Sequence, residues 1–218
     1  MNLSFHFLNG WFPVFMGALL VTLKITILAA ILAIFWGSVV GSMMSVRKSI
    51  LLSSILQVYV SIFRNFPLLV QLFFFFYGLP LIGLRMTPFW TGVVAITLNE
   101  GAFIAEIIRG NINGISSSDW EAAQSLGLSR FHILTKVIFP QAFYDSIPAL
   151  TGQISIIVKD TSLLSMIMMV ELTRVANIIY NQYLSFSGFF FSATLYIALF
   201  IVLNKLSSAL EQRYRVRR

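Results

Sequence analysis

From Ile25 to Val46 the chain carries no charge, and the run stops at Arg47-Lys48. At about 1.5 Å per residue, a helix of that length crosses the roughly 30 Å hydrocarbon core of a bilayer. In lipid only helices and closed barrels satisfy their own backbone groups, so such a run restricts the fold severely. Ser49 to Leu84 is interrupted only by Arg64, and Val175 to Asn204 has no charge at all. Over the 218 residues, 11% are charged, against roughly 25% in an ordinary soluble domain, and mean hydropathy is +0.86. The chain is expected to be an all-α integral membrane protein with no separate soluble domain.

Five spans are expected. The first is Ile25–Val46, with Lys24 snorkelling from its outer end. The second has its core at Asn65–Leu81; Pro67 breaks the long run, and the preceding helix lies at the cytoplasmic side. Gly78 to Pro88, with two prolines and two glycines, reads as a short outer loop before a third span at Phe89–Ile108. Gly110 to Lys136 is the one extended polar region, read as a loop in water before a fourth span at Val137–Val158. Lys159 to Ser187 is mixed, with Glu171 and Arg174 at i,i+3 on a short helix, and the fifth span lies within Val175–Asn204.

A net charge of +7 raises the question of nucleic acid, but neither interleaved stacking aromatics nor a soluble scaffold is present. Membrane orientation explains the charge better. Arg47, Lys48, Arg109, Arg130, Lys136, Lys205, Arg213, Arg215, Arg217 and Arg218 fall on one side of five spans, Arg85 and Arg174 on the other. The positive-inside rule then puts the N-terminus outside and the polar loop and tail in the cytoplasm. No Lys or Arg precedes Lys24, so the first apolar run lacks the basic flank of a signal peptide and is read as a retained span. The absence of Cys excludes disulfides and thiolate chemistry; His6 and His132, on opposite sides of the expected membrane, cannot share a metal.

Within the polar loop, Ser118 stands three residues before Glu121, the spacing of a capping box, so a helix is expected to start there. Gly127 supplies a left-handed residue to end it after about two turns, and Ser129 caps a second helix, Arg130 to Phe139, that leads into Pro140. The loop is either a stiff connector or a handle, since Ala122 and Ala123 leave a smooth face that a partner's groove could grip.

Ionisable groups inside a span are costly unless paired or facing water. Asn99 and Glu100 lie midway along span three beside the small Gly101 and Ala102, and Lys159, Asp160 and Ser162 close span four. Lining a cavity and bridging one another are both open to them. Glu106 and Arg109, i,i+3 neighbours, are expected to pair, while Phe73 to Phe76 read as lipid or helix packing.

Glu121-Ala122-Ala123, three residues, Gly127, and Pro140 at the end of the segment resemble the EAA loop of binding-protein-dependent ABC importers, with pattern E-A-A-x3-G-x9-I-x-L-P. Val137 and Phe139 stand where the pattern prefers Ile and Leu. Phe63 to Gln71, Thr97 to Glu106, Lys159 to Leu163 and Val170 to Arg174 resemble further stretches of the polar amino-acid permeases, a glutamine permease-like family, so that the likeness runs from about residue 20 to 210.

The resemblance implies a type I ABC importer (MetI-like) permease fold with five transmembrane helices. It implies a permease domain at residues 15–209, its EAA loop at about 110–140, and a basic cytoplasmic tail at 210–218. It also implies a bacterial plasma (inner) membrane location, pairing with a second permease subunit, an ABC ATPase dimer that carries ATP and Mg, and a periplasmic or lipid-anchored amino-acid-binding protein. Glu121, Ala122, Ala123, Gly127 and Pro140 would couple to the ATPase. No G-x-x-x-x-G-K-[ST] stretch occurs, so the chain itself is expected to be no enzyme and to hold no cofactor or metal.

A zwitterionic cargo needs an anionic and a cationic partner, and the resemblance favours a cavity lined by Asn99, Glu100, Lys159, Asp160 and Ser162. Glu100 replaces the family's usual Ser; it either pairs with Lys159 or favours a basic cargo, so glutamine is the first expectation and basic amino acids the next. The competing function is a self-contained ion-coupled secondary carrier with Glu100 or Asp160 as its ion site.

Overall fold

The computed structural model describes residues 8–45 and 50–215. His6, Arg47, Lys48, Arg217 and Arg218, and the side chains of Arg213 and Arg215, lie outside the described residues. The helices are α1 (Leu8–Ser45), α2 (Ile50–Asn65), α3 (Leu68–Phe73), α4 (Pro88–Gly114), α5 (Ser117–Ser125), α6 (Arg130–His132), α7 (Phe139–Asp160), α8 (Leu172–Tyr183) and α9 (Ser187–Arg215). π turns at Phe74–Gly78 and Ile133–Ile138 and 3-10 turns at Leu79–Ile82 and Thr161–Ile167 join them. Among the described residues there is no strand.

Three helices are long and apolar enough to cross a membrane, and five spans result if each of two broken helix pairs counts as one. The first span is longer than expected. α1 has 38 residues, about 57 Å of helix, nearly twice a hydrocarbon core. Lys24 lies within it on an exposed face and ends nothing, because a lysine can snorkel without interrupting the backbone ladder. The break at Pro67 is present, but Asn65 ends α2 and belongs to the piece before the break. α4 continues six residues past Ile108, so the polar region opens on helix, and α9 runs through Arg215, into the stretch set aside as a tail. Glu171 stands just outside α8 and caps it, accepting from the backbone N–H of Thr173 (2.8 Å) and Arg174 (2.7 Å).

The chain divides into two compact units, with α1, α4, α7 and α9 contributing to both. The first comprises Met1–Ala30, described from Leu8, with Pro67–Ile96 and Ile154–Leu206. Its α1 segment buries Phe15 and Ala18 against Leu172, Val175 and Ile179 of α8, and Phe15 meets Phe191 of α9 edge-on at 4.7 Å. About two turns further, Ile25 and Ala29 join Leu72, Val93, Ile96, Ile157 and Leu164. Phe75 and Phe76 pack on that cluster while Phe73 and Phe74 are exposed, which divides the four-phenylalanine run between protein and surroundings.

The second unit comprises Ile31–Phe66, Thr97–Gln153 and Ser207–Arg218. Lipid tails are as apolar as leucine, so close packing, not transfer from water, must hold such helices together. Gly37 and Gly41 of α1 supply it. A Cβ at Gly37 would stand 2.7 Å from the Gly101 carbonyl oxygen, and one at Gly41 would overlap the Ala105 carbonyl oxygen. The two glycines four apart thus meet Gly101 and Ala105, also four apart, on α4. Tyr59 of α2 donates to the Leu98 carbonyl (2.7 Å) and accepts from the Trp36 indole (3.0 Å), tying α2 to the same pair.

Candidate functional site

α5 is held at both ends by its own sequence. Ser116 is its N-cap: the backbone is extended there, and Oγ accepts from Asp119 N at 3.4 Å. The start lies two residues earlier than the Ser118–Glu121 box, because Ser116 and Asp119 offer the same spacing and the flanking hydrophobics favour them. Ile115, just before the cap, and Trp120, four into the helix, pack on one cluster as a hydrophobic staple. Ser118 Oγ instead lies 2.7 Å from Ser116 Oγ. At the far end Gly127 is left-handed (φ +75°), as its position predicts; its N–H reaches Gln124 O (2.9 Å) and that of Leu128 reaches Ala123 O (3.4 Å).

The two alanines of the loop have different surroundings. Ala123 is buried among Ile108, Ile112, Ile133 and Ile138, so it fastens α5 to the helices behind it and is no part of a smooth outer face. Glu121, Ala122, Ser125 and Leu126 form the exposed side, Leu126 with 80% of its surface free. Ser129 caps the next helix as expected, accepting from His132 N at 3.4 Å. That helix does not end near Pro140. It passes through the π turn Ile133–Ile138 straight into α7, the wide turn accommodating a ring that offers Lys136 no N–H. Helix therefore runs unbroken from Arg130 into α7, and α5, set off from it by the Gly127 corner, meets it through Ala123 packed with Ile133 and Ile138.

The intramembrane polar residues fall into both units. In the second, Asn99 is buried and its amide donates to the Phe63 carbonyl at 2.7 Å. Glu100, also buried, accepts from the Gln153 side-chain amide. Glu106 and Arg109 pair as expected, with Arg109 Nη2 2.6 Å from Glu106 Oε2.

In the first unit, Lys159 is exposed with its ammonium 5.3 Å from the Phe200 ring centre, Asp160 is half-buried, and Ser162 Oγ donates to the Lys159 carbonyl at 2.6 Å. Lys159 and Ser162 line a cavity of about 380 Å³ with Ser155, Tyr196 and Phe200. Behind its wall, the Tyr196 hydroxyl donates to Glu171 at 2.7 Å.

The model of the binding-protein-dependent transport system inner membrane component family matches residues 33–216. The chain belongs to that family. It is 38% identical over 168 residues to the L-cystine transport system permease protein TcyB of Bacillus subtilis, covering 77% of this chain and 71% of that one. It is 33% identical over 199 residues to the putative glutamine transport system permease protein GlnP of Rickettsia typhi, covering 89% of each. Among solved structures it resembles the crystal structure of an amino acid ABC transporter with histidines, at TM-score 0.88 and 32% identity, covering 98% of this chain and all of that one.

The permease is thus a multi-pass inner-membrane protein of the type I ABC importer fold. Several of its structural residues escape inspection of the sequence. Gly37-x-x-x-Gly41 carried a readable signal in its spacing. Tyr59 and Tyr196 carried none, because a lone tyrosine in an apolar run is indistinguishable from an interfacial anchor. The carboxylate of Glu171 was visible, but its role as a buried cap was not.

Proposed function

We propose that the permease translocates a polar amino acid, with glutamine the first candidate and basic amino acids the next. The cargo arrives from outside on a soluble binding protein, and two permease subunits stand on an ABC ATPase dimer that hydrolyses ATP. The N-terminus is outside and the α5 end of the helices is cytoplasmic. The observation that carries this reading is α5 itself: a capped helix with Glu121, Ala122 and Leu126 exposed and Ala123 sunk into the helices behind it. A loop held that stiffly transmits displacement.

In this reading Glu121, Ala122 and Gly127 present and shape the docking face, while Ala123 and Pro140 belong to the coupling path toward α7. Asn99, Glu100, Lys159, Asp160 and Ser162 serve the translocation path. The neighbouring opposite charges of Lys159 and Asp160 suit a zwitterion, and a buried carboxylate at Glu100 suits a cargo that brings amide or cationic donors. Reconstitution tests the whole. Uptake into vesicles that requires ATP, the ATPase and the binding protein supports it; uptake driven by an ion gradient alone overturns it.

A further inference from the structure

The second unit contains a polar cleft of about 550 Å³ that no residue of the proposed cargo path lines. Gln57, Ser61, Arg64 and Asn65 of α2 form one wall; Phe103, Glu106 and Arg109 of α4 form the other. Charged side chains on apolar membrane helices do not face lipid; they line water-filled paths or meet partners of opposite charge. Glu106 and Arg109 neutralise one another through a two-pronged contact, with Arg109 Nε 3.2 and 3.1 Å from the two carboxylate oxygens. Arg64 is different. Its guanidinium rests 5.2 Å from the centre of the Phe103 ring, and its N–H donors make no hydrogen bond among the described residues.

We propose that this cleft is a second amino-acid site, at the α5 end of the helices, in which Arg64 receives the α-carboxylate and Glu106 shares the α-ammonium. The inference rests on the amino-acid reading of the permease. Summed over its charges the lining is +1, so the ligand must offer an anion, and a planar guanidinium steadied on an aromatic face presents paired donors that match a carboxylate. Glu106 offers acceptor oxygens to an ammonium while keeping Arg109. The amides of Gln57 and Asn65 and the hydroxyl of Ser61 give the wall further donors and acceptors for a polar side chain. A phospholipid phosphate shares the anionic chemistry of a carboxylate, and the response of the site to amino acid against lipid content separates the two.

The absence of native cysteine allows a local test. In proteoliposomes of the complete transporter, the thiol of a Ser61→Cys variant is labelled with a charged methanethiosulfonate, and labelling of the permease chain is followed by mass. Millimolar transported amino acid should slow labelling at least fivefold. A Gln182→Cys control on α8 should be unaffected. Adding Arg64→Gln should abolish the protection, and Arg64→Lys should remove most of it, since a point charge lacks paired donors. Should Arg64→Gln fail to assemble, Arg64→Lys decides alone. Protection that survives both changes overturns the site, as does protection that follows anionic lipid content and ignores amino acid. A wild-type transporter that takes up no amino acid at all overturns the functional reading and this site with it.

Discussion

The side-chain amide of Asn99 donates a 2.7 Å hydrogen bond to the carbonyl of Phe63. In an uninterrupted helix that carbonyl would take the N–H of residue 67, and residue 67 is a proline. Asn99 thus supplies from α4 a donor that the break after α2 removes. The Phe66 N–H bond to Ile62 O, at 3.0 Å, closes the ladder one residue before the break.

Asn99→Ala should therefore destabilise the permease by about 1–3 kcal/mol, the cost of a buried carbonyl losing its donor. Adding Pro67→Ala returns an N–H to the helix and should recover part of that loss. A double-mutant cycle on thermal unfolding in detergent measures the coupling; strictly additive effects would deny the link between the two positions.

The contact between α1 and α4 predicts a reversal of the usual helix preference. Alanine ordinarily improves on glycine in a helix by about 1 kcal/mol. Gly41→Ala must push against the Ala105 backbone and should cost about 1–3 kcal/mol, whereas Gly17→Ala in the same helix, with nothing within 4 Å of its Cβ, should be neutral or stabilising. Detergent melting curves of the two variants check the opposite signs.

Glu171 uses both carboxylate oxygens: Oε1 takes Arg174 N, and Oε2 takes Thr173 N and the Tyr196 hydroxyl. Glu171→Gln places an amide donor against donors and should cost about 1–3 kcal/mol, as much as many truncations. Tyr196→Phe, which removes only one donor, should cost less. Equal melting temperatures for Glu171→Gln and wild type would exclude this role.

Within the proposed cargo path, Asp160→Ala should abolish amino-acid uptake while the ATPase still co-purifies with the permease at wild-type stoichiometry. Vesicle uptake and a pull-down from the same preparation separate the two effects. Uptake at the wild-type rate would remove Asp160 from the path.

The sequence was most legible where one local rule acts without competition. Gly127 had to be left-handed to end α5, Ser129 had to cap, Glu106 and Arg109 were neighbours on one helix face, and Pro67 had to break its run. It was misleading where two equivalent signals competed or where distant packing decides. Ser116–Asp119 and Ser118–Glu121 share a spacing, and only Ile115 and Trp120 select the first. Ala122 and Ala123 are identical in composition, and only the cluster around Ile108 and Ile133 determines which is buried. The cleft around Arg64 joins residues about forty apart in sequence, beyond the reach of any local pattern.

The proposed function has a nucleotide-hydrolysing partner grip α5 through its exposed side. Site-directed crosslinking from an Ala122→Cys variant, the only cysteine in the chain, tests it in native membranes with a short bifunctional reagent. An adduct between the permease and the ATPase subunit is expected from position 122, and none from Leu81→Cys in the segment before Gly83. An active Ala122→Cys transporter that yields no ATPase adduct, or one that yields it equally from Leu81→Cys, would contradict the account.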